Sequence, residues 1–572
     1  MTSTLQPRSR DARRPHRRSA TRRRLAAGAA ALAAAAVLAA CTSSGGAKNT
    51  DSSGAGSGTP AGGSSRSATA HTLTVGTTDK VFALDPAGSF DAGSGTVESQ
   101  VYAALLDRAP GSSVLKPNLA TSYTLTDAKT YTVKLKPGLK FANGDTLTST
   151  DVKFSYDRQL KIADPNGPSS LLFDLASVDA PDPTTVIFHL KSANDQTFPQ
   201  ILALFQIVDH QVFSATKVTP DATIIAKKPF DGPYTISSYQ ANQLVQFQAN
   251  PQYQGVLGTP GFSTLNLKFY ASADNLKLDL QQGNIDLASR TLSITDIDSL
   301  RKQSGLSVYN GAATGFQYFV FNFKTQPYGT TTSDASPAKA LAVRQAVADV
   351  IDRQAISQQV YKGTEQPVYT FLPSAVPSGQ DVLKPLYGDG NGGPDVTKAK
   401  STLQAAGVTG PVTLQVEYNT DHYGEESADE FALIKSQLEA TGLFKVNLQS
   451  TLWTEYGKQR VADAYPEFQL GWYADYLDAQ DFYQPLYGDN GFINNHFEDA
   501  ALQALIIKQA TTHGDSARAA LSVQIQHKLA QELPIIPLLQ ISTTVVADKV
   551  VGGVQAALAT GGLPLAALKP AS

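Results

Sequence analysis

The 572-residue sequence predicts a mixed α/β protein whose globular body divides into at least two lobes. Three observations lead there. About 500 residues follow a Ser/Gly-rich stretch, and a single core rarely grows past roughly 250–300 residues. Strand-like and helix-like apolar periods interleave without a strict strand–helix–strand rhythm, as expected of a chain that crosses between lobes more than once. No run of 18 apolar residues follows Cys41, so nothing there is read as a membrane span. No repeat at solenoid periods is present.

The N-terminus carries nine Arg ahead of sixteen small or apolar residues, Leu25 to Ala40. That run is shorter than the roughly 20 residues a bilayer requires, and a basic segment before a short apolar one reads as a secretion signal. It ends Leu38-Ala39-Ala40-Cys41, which resembles a bacterial lipobox with Cys41 as the lipidated residue. Arg22-Arg23-Arg24-Leu25 leaves twin-arginine export open beside the general route. Cys41 is the single cysteine, so no disulfide, thiolate metal site or cysteine nucleophile remains. The next stretch, 42–70, is nearly all Ser, Gly, Ala and Thr. It cannot bury apolar area and is expected to be a tether with a reach of about 30 Å. Loss of the leader removes nine Arg and one Asp, leaving 38 basic against 49 acidic side chains and a net charge of −11. An acidic body argues against a nucleic-acid partner and mildly favours cationic ligands.

The body begins near His71. Leu73–Val75 reads as a short strand, and YTVKLK (131–136) alternates at period two. Ala142-Asn143-Gly144-Asp145 marks a reverse turn. Residues 233–250 read as two strands around a polar bend, 263–270 as another strand, and VTLQVEY (412–418) places Val412, Leu414, Val416 and Tyr418 on one face. In LAVRQAVADVIDRQAISQQVY, Val343, Val347, Val350 and Ile351 form one helical stripe continued by Ile356 and Val360. Helices are also expected over 395–406, ending at Gly407, and over 427–440, ending before Gly442.

Catalytic patterns are scarce. The eight His form no HxH or HExxH pair, and no nucleophile elbow, P-loop or dinucleotide fingerprint stands out. Asp475, Asp478 and Asp481 are spaced by three, not by the two of a calcium loop. Paired acids of the glycosidase kind come from distant positions and are not tested by local pattern. The expectation is a binding protein rather than an enzyme, with no cofactor and no metal.

Several segments, read in order, carry a resemblance. They are VYAALLDRAP…VLKPNLATSYTLTDAKTYTVKLKPGLKFANGDTLTSTDVKFSYDR (101–158), FDGPYTISSYQANQLVQFQANPQY (230–253), LQQGNIDLA (280–288), FVFNFKTQPYG…AVRQAVADVIDRQAI, and LAQELPIIPL (529–538). Together they resemble family 5 extracellular solute-binding proteins, the oligopeptide- and dipeptide-binding lipoproteins of ABC importers, from about His71 to Leu565.

The resemblance implies the two-lobed, type II periplasmic-binding-protein fold with an inserted subdomain in the first lobe. The expected division is a lipoprotein signal peptide over 1–40, a tether over 41–70, lobe I from 71–93 with 215–310 and 535–565, the inserted subdomain over 94–214, and lobe II over 311–534. It also implies a monomeric receptor at the outer face of the cell membrane, anchored by a lipid on Cys41, that captures a peptide in a hinged cleft for an ABC permease.

In LGWYADYLDAQDF (470–482), the resemblance gives Asp475, three residues after Trp472, the role of taking a peptide's α-ammonium, with Trp472 and Tyr473 beside it. Trp453 and Arg460, in LWTEYGKQR, and His422 resemble further ligand-facing positions. Asp478 and Asp481 read instead as the N-cap and first-turn acids of a helix. Some oligopeptide receptors carry Arg three residues before the Trp; here that position is Gln469. A non-peptide solute on the same fold (a sugar, a metal chelate or haem) and a surface peptide sensor are the alternatives.

Overall fold

A computed structural model of the chain describes residues 72–571, apart from 290, 291, 420, 421, 425, 489 and 490. The expected signal peptide, Cys41, the tether and His71 lie outside the described residues.

The strands assemble largely into one long sheet. Its order runs Phe444–Ser450, Val412–Tyr418, Glu467–Tyr473, Leu306–Phe321, Ile535–Asp548, Leu287–Ser289, Thr72–Thr77, Thr264–Phe269, Leu244–Ala249, Tyr234–Gln240. The two long strands in the middle, Leu306–Phe321 and Ile535–Asp548, run antiparallel. One end of the pair, Leu306 opposite Asp548 to Asn310 opposite Thr544, adjoins Leu287–Ser289. The other end, Gly315 opposite Ile541 to Val320 opposite Ile535, adjoins Glu467–Tyr473. Register shifts interrupt the ladder between Asn310 and Gly315, where the pair passes from one half to the other. A second sheet of four antiparallel strands comes from residues 120–190.

Buried side chains follow the same partition. One core holds Leu73, Phe247, Leu265 and Val545, and reaches Val97, Val101 and Phe213. A second holds Phe316, Val347, Leu414, Phe482 and Leu529. A third, from Ala103 to Ile207, lies under the four-stranded sheet. This is the two-lobed type II periplasmic-binding-protein architecture expected from the sequence, built by burying one apolar face of each element.

Local chemistry accounts for most boundaries. The hairpin read over 233–250 forms as Tyr234–Gln240 paired with Leu244–Ala249. In Val412–Tyr418, Val412, Leu414 and Val416 are buried and Thr413 and Gln415 exposed, as period two requires. The helix Ser149–Ile162 starts at a capping box in which Thr148 and Asp151 satisfy each other's backbone N–H groups. The helix Val396–Ala405 is capped by Asp395, and Gly407 follows it at φ 73°.

The long helix expected over 341–361 is in fact two, Pro337–Val350 and Arg353–Gln359. Ile351 is extended, and the Asp352 side chain accepts from the Ala355 N–H, so a new N-cap interrupts the chain. The apolar stripe continues across the break because both helices face one core.

A buried ion pair ties the first core to the inserted segment. Arg158, on Ser149–Ile162, donates through both terminal nitrogens to Asp85 at 2.8 and 2.7 Å, and through Nε to the Ser214 carbonyl at 2.9 Å. Asp85 also accepts from the backbone N–H groups of Ala87 and Thr219.

Candidate functional site

Strand Glu467–Tyr473 pairs with Leu306–Phe321 as far as Tyr473 opposite Gly315. One more rung follows, from the Ala474 N–H to the Thr314 carbonyl at 2.8 Å. The chain then bends and enters the helix Gln480–Tyr487. Asp475 sits in that bend. The strand before it and the helix after it both pack in the second core, so the bend is held on rigid supports.

Gly315 makes this close pairing possible. A Cβ there would lie 2.4 Å from the Trp472 carbonyl oxygen and 3.2 Å from the Tyr473 Cα. Gly315→Ala is therefore expected to cost about 1–3 kcal/mol through strand displacement. A urea unfolding midpoint matching the parent's would contradict this.

The three aspartates of the segment differ sharply. Asp478 is buried and takes a bidentate pair from Arg518, both contacts at 2.8 Å. It precedes the N-cap, which is Ala479, yet its Oδ1 accepts from the Gln480 N–H at 3.0 Å, so it serves the start of the helix as well as the ion pair. Asp481 is a first-turn acid as expected, but it is buried, and its Oδ2 accepts from the Asp475 N–H at 2.8 Å. Burial first, then the charge of Asp475, pushes its pKa up to about 8. Asp475 is half-buried, and burial raises its pKa too. No hydrogen bond or ion pair reaches its carboxylate among the described residues.

Asp475 lines a cavity of about 510 Å³. Thr77 and Asp79 contribute from the first half, Thr314 from the central strands, and Arg108 and Gln200 from the inserted segment. A second cavity of about 510 Å³, walled by Phe90, Glu98 and Tyr473, meets it at Asp475. Volumes of this size suit a small solute.

The other expected residues fall into separate groups. Tyr473 is exposed on the cavity wall. Trp472 is half-buried and packs on Phe492 with ring centroids 5.4 Å apart. Its indole N–H is buried without a well-formed hydrogen bond, yet its nearness favours the charged form of Asp481. Arg460 is buried, donates to the carbonyls of Phe492 and Ile493 at 2.8 and 2.6 Å, and covers the Phe492 ring. Trp453 and His422 stack face to face, 3.8 Å apart. These four are absent from the walls of the two cavities that Asp475 lines. Gln469 is buried in an amide network with Gln317, Ser427 and Asn419. Sequence reasoning did not single out Arg108 or Gln200. Arg108 stands in the quoted segment 101–158, but no local pattern marks a residue whose partner, Gln200, lies 92 positions away.

The chain matches the family model of the bacterial extracellular solute-binding proteins, family 5, over residues 114–494. The Di/tripeptide-binding protein 1 of Pseudomonas aeruginosa (strain UCBPP-PA14) is 26% identical over 480 residues, 78% of this chain and 84% of that protein. Heme-binding protein A of Haemophilus influenzae is 25% identical over 478 residues, 77% of this chain and 81% of its own length. The crystal structure of the ABC transporter substrate-binding protein CtaP from Listeria monocytogenes superposes with a TM-score of 0.71 at 24% identity, covering 88% of this chain and all of that one. Among the described residues no helix is long and apolar enough to cross a membrane. With the family model spanning most of both halves and the fold in agreement, the chain belongs to the bacterial extracellular solute-binding proteins of family 5.

Proposed function

We propose that this protein is a lipid-anchored, monomeric receptor that captures peptides between its lobes and delivers them, unaltered, to an ABC permease. The observation that carries the reading is Asp475: a carboxylate at the cavity wall, partly withdrawn from water, with no cation of its own among the described residues. A peptide's α-ammonium supplies the missing charge. Such a charge-assisted bond contributes about 1.5–3 kcal/mol net and fixes which end of the ligand enters. Tyr473 flanks it as an apolar and hydrogen-bonding wall. Two relatives named for di- and tripeptides are consistent with this ligand class.

The lobes are proposed as 71–93 with 215–310 and 535–565, carrying the insert 94–214, against 311–534. They close about the interrupted ladder between Asn310 and Gly315, where register shifts already break the pairing. Closure expels water and strengthens the Asp475 contact. Trp472 and Arg460 brace the Asp475 bend through Phe492, and the Trp453–His422 stack stands behind the adjoining strands. The basic leader and Cys41 support export and lipid anchoring.

Isothermal titration of Asp475→Asn tests the assignment. Affinity for free peptides is expected to fall tenfold or more, about 1.4 kcal/mol, while an N-acetylated peptide binds parent and variant alike. Unchanged affinity for the free peptide removes Asp475 from the role.

A further inference from the structure

A further cavity of about 590 Å³ lies beside the central strands. Thr314 belongs to its wall and to the first Asp475 cavity; Tyr473 belongs to its wall and to the second. Ile297 closes it from the first half, and Tyr361, Glu365, Tyr423 and Glu426 from the second.

Three carboxylates converge here. Glu365 and Glu426 line the space, and Glu430, completely buried, stands behind Tyr361, whose hydroxyl donates to its Oε2 at 2.9 Å. Oε2 of Glu365 and Oε1 of Glu430 are both buried without a hydrogen-bond partner. No Lys, Arg or His lines the cavity among the described residues. Burial, then the charges of Glu430 and Glu426, raise the pKa of Glu365 well above its ordinary value. Burying like charges together without a cation is costly, and buried polar atoms are normally satisfied. A core with no use for charge would be better served by amides or apolar groups here. The tyrosines offer ring faces to a cation and apolar surface to an aliphatic stem.

We infer that this cavity receives a cationic side chain of the bound peptide, lysine or arginine, with Glu365 and Glu426 as its direct partners and Glu430 reinforcing them through Tyr361. The inference rests on the peptide reading above and narrows it to basic peptides. Asp475 takes the α-ammonium while the side-chain cation passes Thr314 and Tyr473 into the acidic pocket.

The test is titration of the purified protein with Ala-Ala-Ala and with tripeptides carrying lysine at each position, each compared with the same peptide carrying norleucine, which keeps the stem and lacks the charge. At least one lysine peptide is expected to bind tenfold or more tightly than its norleucine counterpart. In the Glu365→Gln/Glu426→Gln variant that ratio is expected to fall to about one. If tripeptides bind but lysine brings no advantage at any position, the inference is overturned and the peptide reading stands. If no tripeptide binds the parent protein, both fall. The lysine–norleucine comparison on the parent decides the matter even where the double variant fails to fold.

Discussion

Asp85→Ala is expected to lower the unfolding free energy by about 3–5 kcal/mol, because it strands the buried Arg158 guanidinium. Both side chains are almost wholly excluded from solvent, at 1% and 0% exposure for Arg158 and Asp85. Losing the carboxylate also frees the N–H groups of Ala87 and Thr219. Those donors come from segments on either side of the inserted four-stranded sheet, so the loss loosens the seat of that sheet on the first core. The desolvation penalty of two buried charges is large, so replacing both at once, Asp85→Leu with Arg158→Met, is expected to recover much of the deficit. Urea unfolding of the three proteins checks this. A double replacement no more stable than the single one would show that the contact contributes through its backbone bonds rather than its charges.

The second large effect is a loss of stability as pH rises through neutrality. Burial pushes the carboxyls of Glu98 and Glu467 from 4.5 up to about 8, Asp481 from 3.8 to about 8, and Glu430 from 4.5 to about 7. A carboxyl whose pKa is higher folded than unfolded keeps its proton more firmly in the native state. Its contribution is complete below the unfolded value and is lost as pH climbs to the folded one. The window therefore runs from about pH 4.5 to about pH 8. Each such group can weaken the fold by on the order of 1.4 kcal/mol per pH unit within it. Asp182 and Asp279, held down to about 2 by hydrogen bonds, act in the opposite sense, but below that window. The melting temperature is expected to be highest near pH 5 and to drop by several degrees at pH 8. Glu467→Gln should flatten part of the decline, since the Gln415 N–H still finds an oxygen and no charge is buried. A melting temperature constant from pH 5 to 8 would contradict the assignment of raised values.

The strands were legible wherever side chains alternate, as in Val412–Tyr418 and the 234–249 hairpin, because one buried face writes itself into the sequence at period two. The break at Asp352 was hidden by a stripe that stays in phase across two helices sharing a core. Asp475 was singled out only by its resemblance to other chains, and local pattern set it apart from Asp478 only by reading the latter as a helix-start acid. What separates them is Arg518, forty residues on, which pairs with one and not the other. The acidic pocket was invisible for the same reason: Glu365 and Glu426 gain meaning only when the fold brings them to one wall, with Glu430 behind Tyr361.

The place of Ile535–Asp548 in the sheet has a consequence for how the molecule forms. That strand lies between Leu306–Phe321 and Leu287–Ser289, and residues just beyond it, Val551, Leu558 and Leu568, complete the core begun by Leu73 and Val75. A growing polypeptide lacks this keystone until everything before Ile535 has emerged from the ribosome. Until then its two halves have no shared ladder, and contacts between remote parts of a chain form slowly. The two halves can therefore join only after this strand is made, and the edges that await it stay open to wrong pairing until then.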